Sequence, residues 1–179
     1  NALETLLVHA GIAGEYLPRM QEAMETAGVE LVGCEKTRSI IDIPAATEAD
    51  WDTEYLSLKL SVKVVDTLDD AIGHINRHGS GHTDSIVTPH EDAARRFLSL
   101  VDAANVFWNC STRFADGYVF GLGAEVGIAT GKLHARGPVG MEGLLIYKYK
   151  LLGSGQTIHP YSSGEKHYTH NKIDGDCPV

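Results

Sequence analysis

Three histidines, His74, His78 and His82, recur every four residues, and on a helix the first two share one face. Two imidazoles at that spacing can bind zinc, but a zinc site needs further protein ligands, and Gly79 and Gly81 break the helix before His82. A polar helix face carrying His is the better reading, so no metal is assigned, and His167 and His170 in the polar C-terminal stretch weigh less still. A second candidate is Cys110, which ends an apolar run and is followed by Ser111, Thr112 and Arg113. A thiol near a guanidinium can ionise and act as a nucleophile, whereas a lone Cys in a strand is usually a small buried hydrophobe. Cys34 and Cys177 weigh less. The tract FGLGAEVG, from Phe120 to Gly127, is glycine-rich yet has neither of the spacings that cradle nucleotide phosphates. Its glycines permit positive φ and close backbone approach, which marks it as a place for a site. Arg113 and Arg136 near it could grip a carboxylate or phosphate, or could pair with the abundant acids.

The elements that must position these residues follow from periodicity. Ile12, Tyr16, Met20 and Met24, with Leu17, predict a helix from about Ile12 to Ala27 that Gly28 stops, followed by a strand VELVG. Leu58, Leu60, Val62 and Val64 alternate with polar residues, which predicts a strand with one wetter face. Thr67 and Asp70 form a capping box for a helix whose apolar face is Leu68, Ala71, Ile72 and Ile75. A short strand SIVT is then expected, with Thr88, Pro89 and Glu91 as N-cap, N1 and N3 of a helix that buries Phe97, Leu98 and Val101. NVFWNCS reads as a strand leading into the glycine-rich tract, and GLLIYKYKLLG as a late strand near an edge. From Ser154 on the chain is polar and without period. Strands alternating with helices give an α/β layer fold.

Composition narrows the function. The 179 residues are 43% hydrophobic and carry a net charge of −9, enough chain for a self-supporting core and the wrong sign for phosphate backbones or anionic membranes. No nucleic acid and no membrane is expected as a partner. Three widely spaced cysteines suit free thiols in a reducing, cytoplasmic compartment. The apolar pattern begins at once, with no starting Met, which suggests a chain beginning inside a larger protein.

Several segments are more specific. NALETLLVH, VDTLDDAIGHINRHGSGHTDSI, VFWNCSTRFADG, FGLGAEVGIATGKLHARGPVG and GMEGLLIYKY resemble, in order and from Asn1 to about Leu152, the gamma-glutamyl phosphate reductase (glutamate-5-semialdehyde dehydrogenase) family. The layout is similar, more distantly, to the C-terminal half of aldehyde dehydrogenases. The resemblance implies a three-layer aldehyde dehydrogenase-like catalytic domain over residues 1–152, with a mostly parallel sheet and a C-terminal oligomerisation strand, then a polar tail over 153–179. It implies NADPH-dependent reduction of L-glutamyl 5-phosphate to L-glutamate 5-semialdehyde in proline biosynthesis, through a thioester on a cysteine expected immediately before Asn1. The N-terminal dinucleotide-binding domain would also precede this chain, so the isolated chain is expected to be inactive.

By the same resemblance Glu54 falls where the superfamily holds the nicotinamide ribose, and Phe120 and Gly121 fall at a turn beside the substrate tunnel. Ser111, Thr112, Arg113 and Phe114 match the region that anchors the substrate. Cys110 stands where the family usually has Ala, which makes it a tolerated small residue. A homo-oligomer is implied, as is coupling or fusion to glutamate 5-kinase in a bifunctional pyrroline-5-carboxylate synthetase. An inactive assembly domain acting through the YKYKLLG segment is the alternative.

Overall fold

The computed structural model describes residues 3–172, in two compact units divided between Leu145 and Ile146. Cys177 lies outside the described residues. In the first unit, β1 (Thr5–His9) leads directly into α1 (Ala10–Thr26), capped by the His9 imidazole, whose Nδ1 accepts from the Gly11 N–H at 3.1 Å. The buried stripe of α1 is Ala13, Leu17 and Met20, with Met24 packed beside them. Ile12 and Tyr16, expected on that stripe, are exposed, because the face that meets the sheet is turned by one residue. Gly28, at φ +70°, ends the helix as expected.

β2 (Glu30–Gly33), the short α2 (Glu35–Arg38) and a 3-10 turn over Glu48–Asp52 precede β3 (Lys59–Val65). β3 inserts between β1 and β2, parallel to both, in the order β1-β3-β2. The expected wetter face of β3 is not there. Leu60, Val62 and Val64 join α1 in one core, while Ser61 on the other face is fully buried, its hydroxyl donating to the Glu4 carbonyl at 3.1 Å. A central parallel strand is covered on both faces, so alternation in its sequence reflects which partner each face has, not solvent.

α3 (Leu68–His78) opens with the predicted capping box: Asp70 N–H donates to the Thr67 hydroxyl at 3.1 Å, and Thr67 N–H to the Asp70 carboxylate at 3.1 Å. At its end a Cβ on Gly79 would lie 2.6 Å from the Ile75 carbonyl oxygen, so only glycine fits. β4 (Thr83–Ile86) and β5 (Asn105–Trp108) form a second parallel pair bridged by α4 (Glu91–Leu100), and Ile72, Phe97 and Val101 make their core. Leu98, expected in that core, is exposed. α4 starts two residues after Pro89 with His90 as N-cap, not Thr88; the Thr88 hydroxyl instead accepts from the His90 N–H at 3.1 Å. An antiparallel hairpin of β6 (Gly127–Ala129) and β7 (Gly137–Val139) and a 3-10 turn over Met141–Leu144 complete this unit.

The expected late strand does not form. Among the described residues, 145–152 belong to no strand, and Ile146 and Leu151 are 98% and 97% exposed. The second unit holds one short helix, α5 (His159–Ser162), where the sequence shows no period, and the Tyr161 and Tyr168 rings stack at 4.9 Å.

Two outcomes test this packing. Leu17 is wholly buried, so Leu17→Ala should cost about 2–5 kcal/mol in urea unfolding. His74, on the buried side of α3, is held down at about 4 by burial and by the Lys63 ammonium. Its folded value lies below the free value of 6.5, so the unfolded chain binds more protons between the two. Stability from this residue is complete above about 6.5 and is lost as pH falls through about 4. His74→Gln should flatten the fall in unfolding free energy across that window; an unchanged slope would contradict the assignment.

Candidate functional site

The end of β5 is pinned by its neighbours before it releases the chain into Ser111–Phe114. Asn109 takes φ +54°, a left-handed conformation that Asn tolerates better than most residues. Its side chain accepts from the Thr88 N–H and donates to the Thr88 carbonyl, both at 2.9 Å, and the Trp108 indole N–H donates to the same carbonyl at 2.9 Å. The Ser85 hydroxyl donates to the Cys110 carbonyl at 2.9 Å. With the strand end fixed, the chain turns through a 3-10 turn at Thr112–Phe114, and the Ser111 hydroxyl accepts from the Arg113 N–H at 3.2 Å. Arg113 and Phe114 point outward. Among the described residues the Arg113 guanidinium has no ion pair or hydrogen bond, so a fixed backbone presents an uncommitted cation. Cys110 is exposed, which removes the buried-hydrophobe reading.

The next loop is closed by its own polar groups. Asp116 accepts from the Tyr118 N–H at 2.7 Å, and Glu125 from the Gly117 N–H at 2.8 Å. The Phe120 N–H donates to the Asp116 carbonyl at 3.0 Å. Phe120, although partly exposed, meets Phe107 of β5 edge to face at 6.5 Å between ring centres, which ties the loop to the strand that carries Ser111. Gly121 follows at φ +79°, where a side chain would be strained, and lines a depression of about 460 Å³ with Leu122, Pro138 and Gly140. The structure thus joins Ser111, Thr112, Arg113, Phe114, Phe120 and Gly121 through one strand and one self-bonded loop.

Arg136 is not available to a ligand in the same way. It donates to the Asp102 carboxylate at 2.9 Å, and Lys132 pairs with the same carboxylate, which is held below its usual range by these two cations.

Glu54 belongs to a different neighbourhood. It is exposed, and among the described residues it makes no hydrogen bond or ion pair, and none joins it to Ser111–Gly121. Its charge acts on Glu4, at the start of β1, whose carboxyl is raised first by burial and then by Glu54. Asp84, on β4 opposite Val106, is pushed up to about 6 by burial and by Glu4. Beside it the His82 ring and the Thr83 hydroxyl are 2.5 Å apart. Sequence reasoning left this acidic group out, since its members come from three distant segments; an Asp inside the strand TDSI was the one local sign. Glu54 thus presents an acceptor-only carboxylate that has no hydrogen-bond donor among the described residues.

The His74 and His78 rings lie 4.6 Å apart, and each has another partner on Nδ1. His74 Nδ1 lies 3.2 Å from the Lys63 ammonium, and His78 Nδ1 lies 2.8 Å from Asp52. Among the described residues no group of three His, Cys, Asp or Glu is arranged around an ion. Cys34 hydrogen-bonds with Thr37 at 3.3 Å, and although burial opposes it, hydrogen bonds, that of Thr37 foremost, lower its thiol.

No family model matches the chain. It is 58% identical over all 179 residues to the gamma-glutamyl phosphate reductase of Acetivibrio thermocellus, and 58% identical to that of Pelotomaculum thermopropionicum, covering 42% and 41% of those proteins. The crystal structure of gamma-glutamyl phosphate reductase from Thermotoga maritima matches with a TM-score of 0.80 and 51% identity over 86% of this chain and 37% of that one. An acetylating aldehyde dehydrogenase from Geobacillus thermoglucosidasius shares the fold, with a TM-score of 0.57 and 14% identity over 85% of this chain and 44% of that one. The α/β class with parallel sheets, expected from sequence, is thereby shared with an aldehyde dehydrogenase-like enzyme. Identity that runs along the whole chain, together with the shared fold, means that the chain belongs to the gamma-glutamyl phosphate reductase family, spanning about two fifths of the length of the curated relatives it matches.

Proposed function

We propose that the full-length protein carrying this chain reduces L-glutamyl 5-phosphate to L-glutamate 5-semialdehyde in proline biosynthesis. The observation that carries the reading is the uncommitted Arg113 guanidinium, carried by a fixed backbone at the end of β5 beside a braced loop, in a chain 58% identical to gamma-glutamyl phosphate reductases. A cysteine thiolate, expected directly before Asn1, attacks the acyl carbon; the bond to the phosphate oxygen breaks and inorganic phosphate leaves. NADPH, bound with its ribose at Glu54, would supply the hydride that reduces the thioester carbonyl; loss of the C–S bond returns the thiolate and releases the aldehyde. In this chain, Arg113 with Ser111 and Thr112 holds an anionic end of the substrate, while Phe114, Phe120 and Gly121 shape the approach to it. Glu54 accepts hydrogen bonds from the nicotinamide ribose.

The setting follows from the same reading. Residues 1–152 serve as the catalytic domain and 153–179 as its extension, in a cytoplasmic homo-oligomer. The exposed apolar side chains of Leu145, Ile146, Leu151 and Leu152 favour assembly through that segment, because a second surface would take them out of water. An acyl phosphate is open to hydrolysis, so coupling to the glutamate 5-kinase that makes it is part of the proposal.

Two substitutions in the full-length protein test the assignment. Arg113→Ala should lower kcat/KM for the acyl phosphate by about tenfold or more, the loss expected for a charged hydrogen bond of ~1.5–3 kcal/mol; wild-type kinetics would remove Arg113 from the site. Cys110→Ala should keep kcat within about twofold, since no bond of the Cys110 side chain positions the site; loss of the covalent step would make Cys110 the nucleophile instead.

A further inference from the structure

Glu54 has no hydrogen bond of its own among the described residues, yet both sides of it are held. On its N-terminal side, the 3-10 turn Glu48–Asp52 is closed by Thr47, whose N–H and hydroxyl both donate to Asp50 at 2.7 Å. Trp51 from this turn is buried and meets the His74 ring edge to face at 5.4 Å, with the Lys63 ammonium 5.1 Å from its ring. Asp52, two residues before Glu54, bonds His78 at 2.8 Å. The His78 side chain is 16% exposed and that of Asp52 63%, so the contact lies at the surface with its imidazole side covered by α3. On the C-terminal side, the Tyr55 hydroxyl donates to the Asp50 carboxylate at 2.8 Å, which draws residues 50–55 into a closed loop.

We infer that His78 and Asp52, supported by the Tyr55 to Asp50 bond, are positioning residues that fasten the Glu54 loop to α3 and so preorganise the ribose contact. The inference rests on the reading of Glu54 as a cofactor contact. Its physical content is that an exposed carboxylate on an irregular segment would otherwise be ordered at the moment of binding, and that cost would weaken the cofactor complex. A brace of this kind acts on binding and leaves the chemical step alone. The helical His pair, which the sequence offered as a metal site, thus acquires a different use: one imidazole packs on Trp51 and the other holds Asp52.

The test uses the full-length protein and two readouts, steady-state kinetics and direct titration of NADPH binding without substrate. Asp52→Ala and His78→Ala should each raise the dissociation constant and the KM for NADPH about fivefold, with kcat within about twofold, and the double variant should be no worse than either single one. His78→Gln, which keeps a donor for Asp52, should restore most of the affinity. Glu54→Gln, run in parallel, separates the two layers of the claim. If Glu54→Gln weakens NADPH while the Asp52 and His78 variants do not, the brace is wrong and the cofactor reading stands. If Glu54→Gln leaves NADPH binding unchanged, the cofactor reading fails and takes this inference with it. A parallel fall in kcat and melting temperature for His78→Ala, with affinity preserved, would show a purely structural contact and overturn the proposal.

Discussion

Because β3 hydrogen-bonds β1 along one edge and β2 along the other, all in parallel, the chain cannot connect these strands by tight turns. It must cross over, and α1 carries the first crossover while α2 and the Glu48–Asp52 turn lie on the route to β3. The central strand is then covered on both faces. One face meets Leu17 and Met20 of α1; the other carries Lys63, which reaches the buried imidazole of α3. Ser61 finds partners in Thr5 and Glu4, and Lys63 in His74 and Trp51, while the buried His74 Nε2 is left without a hydrogen bond among the described residues. Such partners are the general condition for burying polar groups.

The same constraint decides where flexible-looking segments become rigid. At the end of β5 the backbone groups of Thr88 and Cys110 are taken up by Asn109, Trp108 and Ser85, so the turn that presents Arg113 begins from a fixed frame. The loop before β3 is fixed by different chemistry, a carboxylate shared between Thr47 and Tyr55. These bonds hold the Asp50 carboxyl down at about 2, the Thr47 hydroxyl and N–H contributing most, so Asp50 stays ionised and the loop closed throughout the neutral range. Each anchor costs nothing extra when a ligand arrives, which is the physical advantage of building a site on strand ends and closed loops.

Much of this was legible one segment at a time. The capping box at Thr67 and Asp70, the stop at Gly28 and the strands around Leu31, Val62 and Val106 are local signals, and local chemistry decides them. What failed depended on the partner. The buried stripe of α1 shifted from Ile12 and Tyr16 to Ala13 and Leu17 because the sheet, not the helix, selects which face is covered. The N-cap of α4 moved from Thr88 to His90 because the backbone of Thr88 was already committed to Asn109 and Trp108. The group formed by Glu4, Glu54 and Asp84 had no signature, since it exists only after β1 and β4 have been brought near each other.

The segment after Leu144 marks the limit of local information most sharply. Its alternation of Tyr147, Lys148, Tyr149 and Lys150 is a strand pattern, yet a strand is defined by its ladder, and among the described residues this segment joins none. Tyr147 and Tyr149 still meet edge to face at 5.5 Å, as side chains two apart on one face of an extended segment can. Neighbouring Ile146 and Leu151, almost wholly exposed, leave apolar surface in water at a cost of ~25 cal/mol per Å². Sequence therefore supplies only the alternation of this segment, and a second surface has to supply the hydrogen bonds and the cover that turn the pattern into a strand.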